Sequence, residues 1–389
     1  HLFVTSTIVP DTQMARHLIG QLNTNSSQNG IHALLDQYLD WLMIVRVILD
    51  WLRSNLICLR FLRKGSDYQK KSDWGWIWPI FLNDLKDSFV GSVAIQNIFF
   101  NHLFDKMLGS MPRQTVGLYL MENQGWERIF LHFWRKHGHG TIIGVPHSTI
   151  RYWDLRYFDT QTHQSLGGLP QPDLVALNGE HAWQMLKSSG YPMDRCVRVE
   201  ALRYQYLTDF KTFEPKKTAK GTLMRLLVLG DIQKETTHQM LLHLEEAFAK
   251  CSRSMEVWIK PHPNNPIELK KYRKLTAQLK LESLPELFRD VHVVMASVFT
   301  SASLDAFCFG LPLINYLDQQ NFNFSPLRGH SKAKFVSSSN EINELLGDDH
   351  FTSTAPCVNA SEFFWLDENL SGWLTLINSL ENENYIQNL

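Results

Sequence analysis

LMRLLVLGDIQKETTHQMLLHLEEAF, residues 223–248, decides how the chain is read. A short apolar run stops on an aspartate, Asp231, and an amphipathic helical pattern follows. That is the start of a βα unit. The same rhythm recurs downstream: MEVWIKPHP, VHVVMAS and LPLINYL read as strands, with helices expected over 235–251, 266–280, 301–309 and the NEINELLGD stretch. Upstream, strands are expected at 115–123, 140–148, 172–180 and the RCVRVEAL stretch, and helices at 91–108, 125–138 and 181–190, the last stopped by Gly190. Alternating strands and helices make the chain α/β with mainly parallel sheets.

At 389 residues the chain is too long for one small core, and two domains are the natural expectation. The lysine-rich segment 207–222 is the linker candidate. The expected division is a Rossmann-like domain over 1–210 with a helical insertion, a second over 211–355, and a C-terminal helix within 356–389 packing back on the first. That tail carries an apolar stripe from Phe363 to Ile377.

Composition narrows the function. Hydrophobic residues make up 44% and charged residues 20%, ordinary for a soluble enzyme, and the net charge is −1. A nucleic-acid binder would carry a basic excess, so no nucleic acid is expected as partner. Five scattered cysteines, with no CxxC or zinc spacing, point to reduced thiols in a cytoplasmic protein. The chain opens on His1, as a trimmed chain or a piece of a longer polypeptide would, and shows no signal-peptide pattern. WLMIVRVILDWL (41–52) is broken by Arg46 and Asp50 and falls short of the ~20 apolar residues that span a bilayer. It reads as part of a soluble helix over 31–62, whose basic end (Arg60, Arg63, Lys64) suits a peripheral membrane contact or plain solvent.

Open α/β sheets bind ligands beyond the carboxyl ends of their strands. Asp231 ends one strand, and as a carboxylate there it serves as nucleophile, base or helix cap. KPHP (260–263) ends the next, with His262 braced between two prolines and Lys260 adding charge; the alternative is a turn with a satisfied histidine. SVFTSAS (297–303) leads into a helix whose free N–H groups at Ser301, Ala302 and Ser303 suit a phosphate, or are simply capped by Thr300 or Ser301. Upstream, VPHS (145–148) and NGEH (178–181) place His147, Ser148, Glu180 and His181 at strand ends. A buried structural role for His147 and helix capping near Glu180 compete with catalysis.

The order acid, His-Pro, serine pair resembles the GT-B glycosyltransferases that use CMP-sugars, which transfer sialic acid and Kdo in bacterial surface polysaccharide synthesis. GVPHSTIRYWDLRYF, ALNGEHAWQMLKSSGYP and VEALRY are similar to a narrower group, the retaining β-Kdo transferase modules (WbbB-like) of O-antigen and lipopolysaccharide assembly, over roughly residues 140–320. The resemblance implies a GT-B fold of two Rossmann-like domains facing across a cleft, with extra N-terminal helices. It implies CMP-β-Kdo as donor and a glycan acceptor, lipid-linked, at the inner face of the cytoplasmic membrane. Retention implies two displacements with Asp231 as nucleophile. Lys260, His262, Ser301, Ala302 and Ser303 would hold the donor, and His262 would assist departure of CMP. His147, Ser148, Glu180 and His181 would lie on the acceptor side, with His147 and Glu180 among the candidate bases. No cofactor and no metal enter this scheme. GDDH (347–350) and DVH (290–292) fall elsewhere than on a loop suited to a metal-binding pair, and Asp348 and Asp349 read as exposed turn residues. Two other readings stand beside it: the same fold acting on CMP-sialic acid or CDP-glycerol, and a non-catalytic nucleotide- or glycan-binding module in which Asp231 is only a cap.

Overall fold

The structure, a computed structural model, describes residues 2–4, 12–25, 31–71, 75–157, 168–210, 223–353 and 360–387. It divides into two compact units. The first takes 1–143 and 164–173, the second 144–163 and 174–389. The boundary expected near 210 falls inside the second unit, and the linker candidate lies outside the described residues from 211 on.

The first unit opens with a parallel pair, β1 (Leu2–Val4) and β2 (His32–Leu34), around helix α1 (Thr12–Asn25). The helix expected over 31–62 begins later. Residues 31–40 form β2 and a 3-10 turn, and α2 runs from Trp41 to Lys71. The cause is local: Asp40 Oδ1 accepts the Met43 N–H at 2.7 Å, so the aspartate starts the helix rather than lying within it. Helices α3 (Trp78–Phe89) and α4 (Ser92–Ser110) pack on α2. Strand β3 (Val116–Leu120) and helix α5 (Gly125–Lys136) follow. The start of α5 is held by buried Glu127, whose carboxylate accepts the N–H groups of Glu122, Asn123 and Gln124.

Strand β4 (Thr141–Val145) follows α5; in the second unit β5 (Leu174–Leu177) and β6 (Cys196–Arg198) run parallel, with α6 (Glu180–Ser188) between them.

The second unit carries a six-stranded sheet of β7 (Met224–Leu229), β8 (Met255–Lys260), β9 (Ala277–Leu279), β10 (Val293–Ser297), β11 (Leu313–Tyr316) and β12 (Lys334–Val336). The order is β12-β11-β10-β7-β8-β9, every pair parallel. This is the doubly wound arrangement: the chain moves outward from β7 to β9, then returns to β10 and moves the other way. Helices α7 (Lys234–Lys250), α8 (Leu284–Phe288), α9 (Ala302–Cys308), α10 (Ser339–Gly347) and α11 (Asp349–Ser353) accompany the strands. The central strands are buried on both faces, which explains their unbroken apolar runs.

Two expectations fail here. Residues 266–280 are not a helix. Pro266 opens an irregular stretch whose Tyr272 and Leu275 enter the core, and 277–279 add the edge strand β9. The tail stripe from Phe363 to Ile377 is not one helix either. Phe363 and Phe364 are core residues, Phe364 stacked on Tyr204 at 3.7 Å, and helix α12 starts only at Ser371. That helix buries Trp373, Leu376 and Leu380 while Leu374 and Ile377 face out. Its start is fixed by buried Glu200, whose carboxylate accepts Gly372 N at 2.8 Å and Trp373 N at 3.1 Å. An acid at a helix N-terminus satisfies free N–H groups and complements the dipole.

Candidate active site

The register of three adjacent strands builds the site. Leu229 of β7 lies opposite Lys260 of β8 and Ala296 of β10. Two residues beyond that level come Asp231, His262 and Val298, just past the end of Ser297. Asp231 and His262 therefore share one sheet edge. The β7/β10 boundary is also where the strand order reverses, the place where doubly wound sheets leave a crevice.

Asp231 is fully buried. Its Oδ2 accepts a hydrogen bond from the Ser297 hydroxyl, and Oδ1 accepts the Gln233 N–H at 2.7 Å. Its own N–H donates to Thr237 Oγ1 at 2.8 Å. The helix cap itself is Gln233. Thus the aspartate organises the turn into α7, with neutral donors on both oxygens. Ser297 is buried as well, and its oxygen also accepts the Phe299 N–H at 3.1 Å. Gly230 is required between strand and aspartate: a Cβ there would stand 2.8 Å from the His262 nitrogen.

His262 is half-buried, its Nδ1 accepting the Asn264 N–H at 3.2 Å. Asn265 ties this loop to the neighbouring strand end, donating to Asp231 O at 3.0 Å and to Ile232 O. Lys260 turns elsewhere, with Nζ 3.3 Å from Leu281 O and 2.5 Å from Glu282 O. A pocket of about 510 Å³ opens at the start of α7, lined by Thr237, His238, Asn264, Asn265 and Tyr272 among others.

The serine turn is divided in role. Ser303 is fully buried and its hydroxyl donates to Thr300 O at 2.8 Å. Ser301 is half-exposed and makes no side-chain cap; its Oγ accepts from Arg203 Nη2 at 3.2 Å. Ala302 N donates to Thr300 Oγ1 at 3.4 Å. Below the turn, Asp305 is buried and Tyr206 donates its hydroxyl to Asp305 Oδ1, while Oδ2 has no partner. Burial, more than any other cause, pushes the Asp305 carboxyl above its ordinary range; the Tyr206 bond and Arg203 oppose it.

The residues expected on the acceptor side gather around Asn178. Buried Asn178 donates to Pro146 O at 3.1 Å and Ser148 O at 3.4 Å, so it shapes the turn that carries His147 and Ser148. Its own carbonyl accepts Trp365 N. Glu180 begins α6 and accepts from Gln184 Nε2 at 2.6 Å. His181 rests against Phe363 at 5.6 Å, and burial lowers its pKa, opposed by a backbone bond to Ile150. Gly179 passes so close to the Phe363 carbonyl that a Cβ would lie 1.7 Å from it. The loop after β4 packs within the second unit: Trp153 lies 5.5 Å from Phe322, and the Arg328 guanidinium sits 4.3 Å from the Tyr152 ring.

The other acids stand apart. His292 lies at the amino end of β10, the opposite edge of the sheet, and accepts the Arg225 N–H. Asp348 caps His350 N, and Asp349 pairs with Arg253 at 3.3 Å. Among the described residues no group of three or more His, Cys, Asp or Glu is placed to hold a metal ion.

Sequence reading missed Ser297, Asn265, Thr237 and Arg203. Arg203 and Ser297 stand inside VEALRY and SVFTSAS, strings already singled out, but neither carried an assigned role there.

No family model and no curated protein matches the chain. Solved structures do. The MurG of Acinetobacter baumannii aligns at 9% identity over 74% of this chain and 80% of its own, with a TM-score of 0.46. A UDP-N-acetylglucosamine 2-epimerase aligns at 11% over 78% and 85%, TM-score 0.44. The calicheamicin glycosyltransferase CalG4 aligns at 11% over 74% and 78%, TM-score 0.47. With TM-scores below 0.5, these likenesses add no weight to any reading of the site.

Proposed function

We infer that the chain is a glycosyltransferase of GT-B type that moves Kdo from CMP-β-Kdo to a glycan acceptor with retention of configuration. The observation that carries this is the pair Asp231–Ser297 at the switch point of a doubly wound parallel sheet, with His262 on the next strand end. The strings similar to β-Kdo transferase modules fall on other elements, after β4, on β5 and α6, and after β6, where Arg203 of VEALRY donates to Ser301.

In this reading the Asp231 carboxylate attacks the anomeric carbon of Kdo. The bond from that carbon to the phosphate oxygen breaks, and CMP leaves with the electron pair. An acceptor hydroxyl then attacks the same carbon from the opposite face, Asp231 departs, and the hydroxyl proton passes to a base. Ser297 keeps its hydroxyl on Oδ2, as carboxylate oxygen before attack and as ester carbonyl after it. Attack through Oδ1 requires the 231–233 turn to open, because the side chain is fully buried as it stands. The leaving phosphate is met by Ser301 and Arg203, with His262 beside it; fixed donors there stabilise charge as it develops. Lys260 and Ser303, held by other groups, serve the site through its framework. His147, Glu180 and His181 remain level as acceptor bases. The acceptor is a lipid-linked glycan in this reading.

One observation favours a second reading. Both Asp231 oxygens are satisfied and the side chain is closed to solvent, as a turn-organising residue in a nucleotide- or glycan-binding module would be. Asp231→Asn separates the two. It keeps the shape and the Gln233 N–H bond to Oδ1, while the amide nitrogen donates to Ser297 Oγ where Oδ2 accepted from it, so CMP still binds. The transferase reading expects Kdo transfer to fall by on the order of 10⁴-fold or more, as for loss of a catalytic nucleophile. Unchanged transfer, or no turnover of CMP-Kdo by the parent protein, overturns it. Turnover of CMP-sialic acid or CDP-glycerol instead would reassign the donor.

A further inference from the structure

Helix α2 buries only one of its sides. Met43, Val47 and Cys58 pack inward, and Ser54 and Trp51 bond to the carbonyls of Phe89 and Val90. The opposite side is apolar and open. Trp41, Val45, Ile48, Leu52, Leu56 and Leu59 recur at three- and four-residue spacing with 47% to 81% of their surface exposed. Such a face on a helix this long needs a partner, since scattered single apolar residues are ordinary and a continuous stripe is not.

Charge says which partner. Arg46, Arg53 and Arg60 stand seven residues apart and form a row along one border of the stripe, all exposed. The acids of the same region turn away: Asp40 pairs with Lys106 at 2.6 Å, and Asp50 pairs with His102 at 2.9 Å, both partners being on α4. Asp50 also holds Arg53 at 2.8 Å, leaving that side chain 74% exposed. The border across from the arginines carries Trp51, Asn55 and Leu62, with no acid for a second copy's arginines to meet. From Trp41 to Leu59 the stripe is ~27 Å long at 1.5 Å per residue. No described helix is long and apolar enough to cross a membrane.

We propose that this face of α2 lies in the plane of an anionic lipid surface, its apolar stripe in the headgroup–acyl boundary and its arginine row on lipid phosphates. Interfacial helices combine these two faces, and exposed tryptophan at the stripe's end suits that depth. The inference stands on the first unit alone and does not depend on the reading of Asp231.

The test is sedimentation of the full chain with vesicles of phosphatidylcholine, or of equal parts phosphatidylcholine and phosphatidylglycerol. Binding to the mixed vesicles is expected, with far weaker binding to the neutral ones. Arg46→Gln, Arg53→Gln and Arg60→Gln together should weaken binding to mixed vesicles by on the order of 100-fold, taking each basic residue near the surface at roughly five-fold. Leu52→Glu with Leu56→Glu should abolish it while the circular dichroism spectrum stays unchanged. Absence of binding to mixed vesicles, or binding that survives both variants, overturns the proposal. So does a dimer in solution that Leu52→Glu dissociates, since the face would then belong to a second copy.

Discussion

Ser297→Ala tests the framework of the site through stability. The serine oxygen lies fully buried between two partners, donating to Asp231 Oδ2 and accepting the Phe299 N–H at 3.1 Å. Alanine removes both bonds and leaves two groups without a substitute. A hydrogen bond to a charged group contributes about 1.5–3 kcal/mol, and a neutral buried one about 1 kcal/mol. The expected loss is therefore about 3 kcal/mol. For a compact unit of this size each kcal/mol moves the unfolding midpoint by roughly 2–4 °C, so calorimetry should show a fall of about 6–12 °C in the second unit's transition. Ser297→Thr is the companion, since it keeps the hydroxyl and adds only a methyl group; it should recover part of the loss if the bond is the cause. A fall below about 0.5 kcal/mol in Ser297→Ala, the level of an ordinary surface substitution, would refute the Asp231–Ser297 interaction and with it the organisation of this sheet edge.

Three further outcomes follow from other contacts. Gly230→Ala places a Cβ 2.8 Å from the His262 nitrogen, so the two strand ends must separate; a loss of about 1–3 kcal/mol in urea unfolding is expected, with weaker CMP binding by calorimetric titration. Glu200→Gln leaves one acceptor for the N–H groups of Gly372 and Trp373, and an amide donor faces the other; a cost of about 2 kcal/mol should appear as faster hydrogen exchange along α12. Asp305 has its folded-state pKa raised by burial, so the native protein holds the proton more tightly than the unfolded chain. Its stabilising contribution is full below the ordinary aspartate pKa and is lost as pH rises through the raised value. Asp305→Asn should remove that fall, flattening the midpoint's pH dependence above about pH 4, the ordinary aspartate pKa, relative to the parent; an unchanged pH profile would contradict it.

The α/β rhythm was legible because central parallel strands, covered on both faces, must be continuous apolar runs, as in residues 224–229 and 293–297. Edge strands gave no such pattern. Ala277–Leu279 and Lys334–Val336 are three residues long and partly exposed, so they read as loop or helix. The start of α2 turned on one side chain, Asp40, inside a run that looks helical throughout. At the site, Asp231 and His262 could be found because each follows an apolar run and faces the same edge. Ser297 could not, because only the strand order makes β10 the neighbour of β7, and that order is fixed by packing across the whole sheet. The division of labour between Ser301 and Ser303 was equally hidden: identical residues two apart, one turned to Arg203 and the other into the core.

The most direct measurement is the intact mass of the chain after incubation with CMP-Kdo, followed by peptide mapping. The account predicts one Kdo added to the peptide that contains Asp231, present in the parent and absent in Asp231→Asn. CMP-Kdo turnover that proceeds with no adduct and is unaltered by Asp231→Ala would contradict it.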